Sequence, residues 1–442
     1  MQIDELAKII RECGVVGSGG AGFPSYAKLN EKADTIILNC AECEPLLKLH
    51  RQVLQKYAYE IMSTLKLIGE TVKADNIIIA IKKSYKDAVD SVSNYLDAFE
   101  NIKIKYIPEI YPAGDEVVTI YETTGRVVPP GQIPISVGVT VFNVETVYNI
   151  YLAVNNNAPV THKYVTITGE VENAVSLKLP IGCKVSDAVK LAGGALCENP
   201  TYIMGGPMTG RLVTLNDVIT KTTNAILVLP NDHYVIQKRK SNVSVDMKRA
   251  MASCCQCQMC TDMCPRYLLG HPIEPHLFMR NATSGIYTDT NSYINTMFCS
   301  QCGLCEMFSC TQSLAPKSLM GVCKDELRKN GVKIPTDAEA VPVRKEREYR
   351  KVPMKRLVAR LGLKKYDKAA PLTETEIDVK EYKVMLSQSI GAPAEAVVKK
   401  GEKVELGQLI AKHPEKGLGV SLHSPCSGKI LEITDKFVLI RV

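Results

Sequence analysis

Two short cysteine runs constrain this chain more than any other feature. The stretch CCQCQMCTDMCP sets Cys254, Cys257, Cys260 and Cys264 at x2, x2 and x3 spacing ahead of Pro265, and CSQCGLCEMFSC sets Cys299, Cys302, Cys305 and Cys310 at x2, x2 and x4. Nine of the sixteen cysteines lie between Cys254 and Cys310, too concentrated for incidental core residues. Three thiolates two residues apart wrap one face of a cubane, while a fourth set off by a longer gap points to a neighbouring cluster. The ligand sets expected are Cys254, Cys257, Cys260 and Cys310 for one [4Fe-4S] centre, and Cys299, Cys302, Cys305 and Cys264 for the other. Cys255 is left over. Structural zinc competes, but its knuckles take two cysteines each rather than three evenly spaced ones. Thr311 departs from the pattern, standing where a proline commonly follows the last cysteine.

Metal thiolates rather than disulfides imply a reducing compartment. The start, MQIDELAKII, lacks the basic and apolar stretches of a signal peptide, and no apolar run approaches the ~20 residues that cross a bilayer. A soluble, cytoplasmic protein with no membrane span is expected. The net charge of +7 is concentrated in VRKEREYRKVPMKRLVARLGLKK, and Trp is absent, so nucleic acid is not an expected partner.

At 442 residues the chain has room for several domains. Residues 3–13 have helical periodicity, DTIILNCAE reads as a buried strand, 51–70 as a helix, NIIIAI as a strand, YKDAVDSVSNYLDAF as a helix and IKIKYIPEIYP as a strand. That alternation implies an α/β domain with parallel strands over 1–160. Short strands around one helix imply a small α+β domain over 161–235. The cysteine-rich part spans 243–335 with helical pieces, 336–372 reads as a basic linker broken by Pro342 and Pro353, and 373–442 as short strands between Gly and Pro turns.

Gly17, Gly19 and Gly22 have G-x-G-x-x-G spacing, but a helix precedes them and the first strand follows, the reverse of a Rossmann turn. What remains is a loop whose backbone a ligand can approach closely, with Lys28 as a charge for a phosphate.

The succession GSGGAGFPSYAK, NCAECEP, YPAGDE and FNVET resembles the flavin-binding subunit of respiratory complex I. That resemblance implies FMN beside an NADH site. It puts Gly17, Gly19 and Lys28 along the FMN phosphate and ribityl chain, with Asn39, Gly114, Asp115 and Asn143 completing the pocket. Glu42, Glu44 and Glu116 would serve catalysis on the nicotinamide side, and Phe23 would stack on the dinucleotide. Ala41 replaces an acid of that family, and Phe142 the first of its paired asparagines.

The corresponding component of the Rnf complex, RnfC, shares these motifs and the ferredoxin runs but carries its barrel-sandwich domain first, whereas here PAEAVVKKGEKVELGQLIAKH and SLHSPCSGKILEIT come last. With AECEPLLK, PAGDEV, GGPMTG, GHPIEPH and PLTET, the whole length is similar to the cobalamin reductases of propanediol-utilisation microcompartments. The fold class implied is multidomain: a complex-I-flavin-subunit-like α/β domain, an SLBB β-grasp domain, a helical ferredoxin-like domain with two [4Fe-4S] clusters, and a C-terminal β barrel-sandwich hybrid.

Other features have ordinary readings. Lys416 lacks the neighbours of a lipoylated lysine, His271 and His276 are not at i, i+4, and Cys40 and Cys43 form a lone C-x2-C. Lys355, Arg356, Arg360, Lys364 and Lys365 alternate with leucines as in an amphipathic helix.

Nicotinamide yields two electrons at once and a cubane takes one, so a flavin between them makes chemical sense. By resemblance the acceptor is cobalamin, recycled for a B12-dependent diol dehydratase, within a bacterial microcompartment and with shell or adenosyltransferase partners. The alternative is an electron relay between proteins, without a corrinoid site.

Overall fold

A computed structural model describes residues 1–338, 341–375, 377 and 379–442. The chain opens on α1 (Ile3–Glu12), which buries Leu6 and Ile10 and leads into the glycine loop. Then follow β1 (Thr35–Cys40), α2 (Leu49–Lys56), α3 (Ala58–Val72), β2 (Asn76–Lys82), α4 (Lys86–Ser93), β3 (Ile102–Ile107), β4 (Ile110–Tyr111), α5 (Glu116–Thr124), β5 (Val139–Asn143) and α6 (Val144–Asn156). The helix expected over 51–70 is two helices meeting at Tyr57, the strand over 102–112 is two strands parted at Pro108, and the helix over 85–99 stops at Ser93.

β1, β2, β3 and β5 form a parallel sheet in the order β3-β2-β1-β5. Runs of Ile, Leu and Val bury β1, β2 and β5 on both faces, as parallel sheets require, whereas edge strand β3 exposes Lys103, Lys105 and Tyr106. The chain winds outward from β1 to β3 and then returns to the other side of β1. Such a reversal opens a crevice at the carboxyl ends of β1 and β5, the neighbours on either side of the switch in order. Asn39 and Asn143 lie there, paired in register.

The second unit is a mixed sheet of β6 (His162–Gly169), β7 (Val175–Pro180), β8 (Pro200–Met204), β9 (Arg211–Val213) and β10 (Ala225–Pro230), with α7 (Val185–Leu191). Its join to the first is a buried ion pair between Lys163 on β6 and Glu145 on α6, whose other oxygen accepts from Tyr164 N at 3.1 Å. The cysteine-rich part consists of short helices, among them Val243–Ser253, Pro275–Ser284 and Pro316–Lys329.

The described part of the 336–372 segment is stitched into the fold. Val352–Pro353 pairs with β4, and Leu372–Thr373 extends the second sheet beside β7. Helix Met354–Arg360 carries Leu357 and Val358 into a core shared with Tyr111, Leu227 and Leu229, turning its basic side outward. The terminal strands make a four-stranded and a three-stranded sheet, within the last 62 residues from Glu381. Among the described residues no helix is long and apolar enough to cross a membrane.

Candidate functional site

A cavity of about 530 Å³ occupies the crevice beyond β1 and β5, within the size range of cofactor sites. Gly17, Gly19, Phe23, Lys28, Asn39, Gly114, Glu116 and Asn143 all line it. The glycine loop folds back on itself through Gly17 N donating to Phe23 O at 2.9 Å, and Ser18 N reaches Thr146 Oγ1 at 2.9 Å. Gly19 passes so close to Asn143 that a Cβ there would sit 2.6 Å from its Nδ2. This is a close approach only glycine permits. Asn143 Oδ1 meanwhile caps α6 by accepting from Glu145 N at 3.0 Å. Asn39 is fixed from both sides, donating to Gly114 O at 3.0 Å and accepting from Ala41 N at 3.0 Å. Lys28 donates to Glu116 Oε1 and to Val141 O, each at 2.8 Å, which holds its ammonium at the cavity wall.

Three of the expected residues lie elsewhere. Glu42 is half-buried away from the cavity lining, with Oε1 accepting from His50 N at 2.9 Å and desolvation raising its carboxyl above the usual range. Its backbone adopts a φ of 37°, turning the side chain back toward α2. Glu44 is likewise half-buried, its pKa raised by desolvation. It grips the second domain, accepting from Met208 N at 2.9 Å and Thr209 Oγ1 at 2.5 Å. Asp115 caps α5 through Val117 N at 3.0 Å and turns away from the cavity to Arg266 at 2.8 Å. These three therefore hold the frame, while Glu116 alone of the four acids named stands at the cavity.

Ser25, Thr146 and Ile390 line the cavity without any expectation from the motifs. Thr146 ends the FNVET motif and could have been read with Asn143. Ile390 had no local signal, because it comes from the C-terminal domain, where its N–H donates to Gly22 O at 3.1 Å.

The two cysteine runs interleave as expected from their spacing. One void is lined by Cys254, Cys257, Cys260 and Cys310, the other by Cys264, Cys299, Cys302 and Cys305. Among the described residues no three His, Cys, Asp or Glu side chains converge as a single metal ion requires. In both runs the residue before the second cysteine is a glutamine in the left-handed region, Gln256 at φ 53° and Gln301 at φ 59°. Gln256 Nε2 donates to Cys254 Sγ at 3.2 Å, and Gln301 Nε2 to Cys299 Sγ at 3.3 Å. His276 lines the first void and accepts or donates at Thr261 Oγ1, while His271 is buried against Val128 O.

Two orphaned atoms test whether the implied groups suit these spaces. Ser25 Oγ is buried and unpartnered at the 530 Å³ cavity, and Arg266 Nε is buried and unpartnered at the second void. An unpaired buried polar atom is costly, so each suits a hydrogen-bonding occupant: a polar cofactor in the first case, cluster sulfide in the second.

The family model of the Nuo51 FMN-binding domain matches residues 10–152, the SLBB domain 164–212, the 4Fe-4S dicluster domain 253–315 and the RnfC barrel sandwich hybrid domain 358–440. The chain thus has the four-part organisation the motifs imply, with FMN and iron–sulfur clusters as its cofactors. Among solved structures, the NAD+-reducing [NiFe]-hydrogenase in its H2-reduced state gives a TM-score of 0.48 at 16% identity, over 79% of this chain and 65% of that one. A component of the ion-translocating oxidoreductase complex of Edwardsiella ictaluri is 34% identical over 59% of this chain and 32% of its own length. Cobalamin reductase PduS of Salmonella typhimurium is 37% identical, over 100% of this chain and 97% of its own, and that of Citrobacter freundii 39%, over 98% and 95%. The chain belongs to the PduS cobalamin reductase family.

Proposed function

We propose that this protein carries electrons from NADH through FMN and two [4Fe-4S] clusters to cobalamin, reducing cob(III)alamin or cob(II)alamin to recycle cofactor for a B12-dependent diol dehydratase. The observation that carries this reading is the junction at residues 114–116. Gly114 and Glu116 line the flavin-type cavity, and Asp115 between them reaches Arg266 on the wall of a four-cysteine void. Bound FMN takes electrons in pairs and gives them up singly, the conversion that one-electron clusters require.

The chain's own residues do the holding. Gly17 and Gly19 let a phosphate and ribityl chain lie against the backbone, Lys28 supplies charge, and Asn39 and Asn143 fix the floor. Phe23 and Glu116 are proposed on the dinucleotide side. The eight run cysteines are proposed as the cluster ligands in the two sets given above. The Nuo51-type domain supports NADH as donor, and the name of the full-length relatives supports cobalamin as acceptor. A place in a propanediol-utilisation microcompartment, with shell proteins or an adenosyltransferase as partners, is proposed from the family resemblance alone.

The test is anaerobic mixing of the purified protein with NADH and cob(III)alamin, followed in the visible. Bleaching of the flavin and clusters with conversion of the corrin bands is expected. Rapid reduction of a ferredoxin with none of cobalamin would overturn the reading in favour of a relay between proteins.

A further inference from the structure

The two cysteine-lined voids differ in what surrounds them. The void of Cys264, Cys299, Cys302 and Cys305 faces inward. Arg266 on its wall is tied to Asp115 beside the flavin cavity, Tyr111 Oη donates to Cys302 O at 2.5 Å, and Cys305 is buried. The void of Cys254, Cys257, Cys260 and Cys310 faces out, with Cys255, Gln256, Cys257, Gln258, Thr311 and Gln312 all exposed around it.

Its lining contains no Asp, Glu, Lys or Arg, although the chain as a whole carries 101 such residues, 54 basic and 47 acidic. What it offers instead is primary amides. Gln256 spends its Nε2 on Cys254 Sγ, whereas the side chains of Gln258 and Gln312 have no hydrogen-bond partner among the described residues. Protein redox partners are steered by opposed charge patches, whereas the lining here is neutral, with Lys238 beside it held back on Leu314 O at 3.3 Å. A corrin ring, in contrast, presents a periphery of neutral amides, each able to both donate and accept to a glutamine.

We infer that electrons run from the flavin to the inward Cys264–Cys305 set and then to the outward Cys254–Cys310 set, and that the corrinoid docks at the glutamine-rimmed mouth of the latter. This rests on the reading of the chain as a cobalamin reductase and specifies where its acceptor binds. For each NADH oxidised to NAD+ and a proton, two electrons leave this face one at a time and convert two cob(III)alamins to two cob(II)alamins.

Cys255 on the rim is exposed and outside both sets, so it reports on occupancy. In the cluster-loaded, oxidised protein, cyanocobalamin is expected to slow alkylation of Cys255 by N-ethylmaleimide several-fold while leaving Cys197 unchanged, read by peptide mass spectrometry. The Gln258→Leu/Gln312→Leu variant should lose that protection and raise KM for cob(III)alamin about tenfold with little change in kcat, the loss of two neutral hydrogen bonds. Cobalamin reduction that proceeds while Cys255 stays unprotected overturns this docking site and leaves the reductase reading standing. Protection of Cys255 by a ferredoxin and not by cyanocobalamin overturns the corrinoid as occupant. Absence of any cobalamin reduction overturns the reading beneath it.

Discussion

Arg266 donates from one guanidinium nitrogen to both carboxylate oxygens of Asp115, at 2.9 and 2.8 Å, in a pair whose side chains are only 18% and 10% exposed. Asp115 belongs to the flavin-type domain and Arg266 follows the fourth cysteine of the first run, so this pair fastens the two redox units together. Breaking a buried pair leaves one charge uncompensated and costs about 3 kcal/mol or more. Arg266→Met is therefore expected to lower the thermal midpoint sharply and to slow flavin-to-cluster electron transfer in stopped flow. Arg266→Lys should recover part of both. A methionine variant with native stability and native transfer rates would show the pair to be incidental.

Gly19→Ala tests the flavin cavity at its tightest point. The added methyl would meet Asn143 Nδ2, and Asn143 is also the cap of α6. Overpacking of this kind costs about 1–3 kcal/mol, or roughly tenfold to a hundredfold in affinity. FMN should dissociate correspondingly more readily, measured by fluorescence of released flavin, while the iron content stays unchanged.

The cysteine sets were legible because they rest on short-range spacing, and the cavity because four short motifs in order carried the family resemblance. Thiolate spacing decides which cysteines share a void, whereas Asn39 and Asn143, which pair across β1 and β5, were reached only through the ordered motifs of the family resemblance. What the local pattern could not reach was the direction of loop side chains and the contacts made across the chain. The carboxylates of Glu42 and Glu44 sit in a loop between a strand and a helix, and nothing local says whether such a loop turns its side chains to a ligand or back onto the fold. Their partners, His50 and the 206–209 loop, are 8 and about 160 residues away. Ile390 reaches the cavity from the far end of the chain, and the strand at Val352–Pro353 exists only because β4 offers it an edge.

The paired glutamines give a redox prediction. Hydrogen bonds to cluster sulfurs raise the reduction potential by stabilising the more negative state. Gln301 donates to Cys299 Sγ from both its backbone and side chain, at 3.4 and 3.3 Å. Gln301→Leu retains the backbone bond and loses the other. A net bond of ~0.5–1.5 kcal/mol corresponds to roughly 20–60 mV in a one-electron couple. One cluster of the two should shift negative by that amount in an EPR-monitored titration, and Gln256→Leu should shift the other. A shift of both clusters together would point to a general loss of packing.

Lys221 joins three domains at the glycine loop. Its ammonium is buried and donates to Gly14 O at 2.5 Å and to Ser421 O at 3.1 Å, and its N–H donates to Gln388 Oε1 at 2.9 Å. Gly14 can accept so near an approach because it has no side chain and a φ of 76°. Nearby, Arg11 reaches Pro414 O at 2.8 Å and Gly417 O at 3.1 Å, so the C-terminal domain is braced against the loop from two sides. Burial lowers the Lys221 pKa from 10.5 to about 7. Between pH 7 and 10.5 the unfolded chain then holds a proton at this position that the folded chain does not, so stability rises with pH across that window. Below pH 7 both states are protonated and the contribution is flat. Lys221→Met removes the two carbonyl contacts and the titration together. It should be less stable than the native protein, with a gap in thermal midpoint that widens from pH 7 to 9, and it should release FMN faster because Gly22 loses the support of Ile390. A gap that stays constant from pH 7 to 9 would mean that Lys221 stays charged in the folded protein.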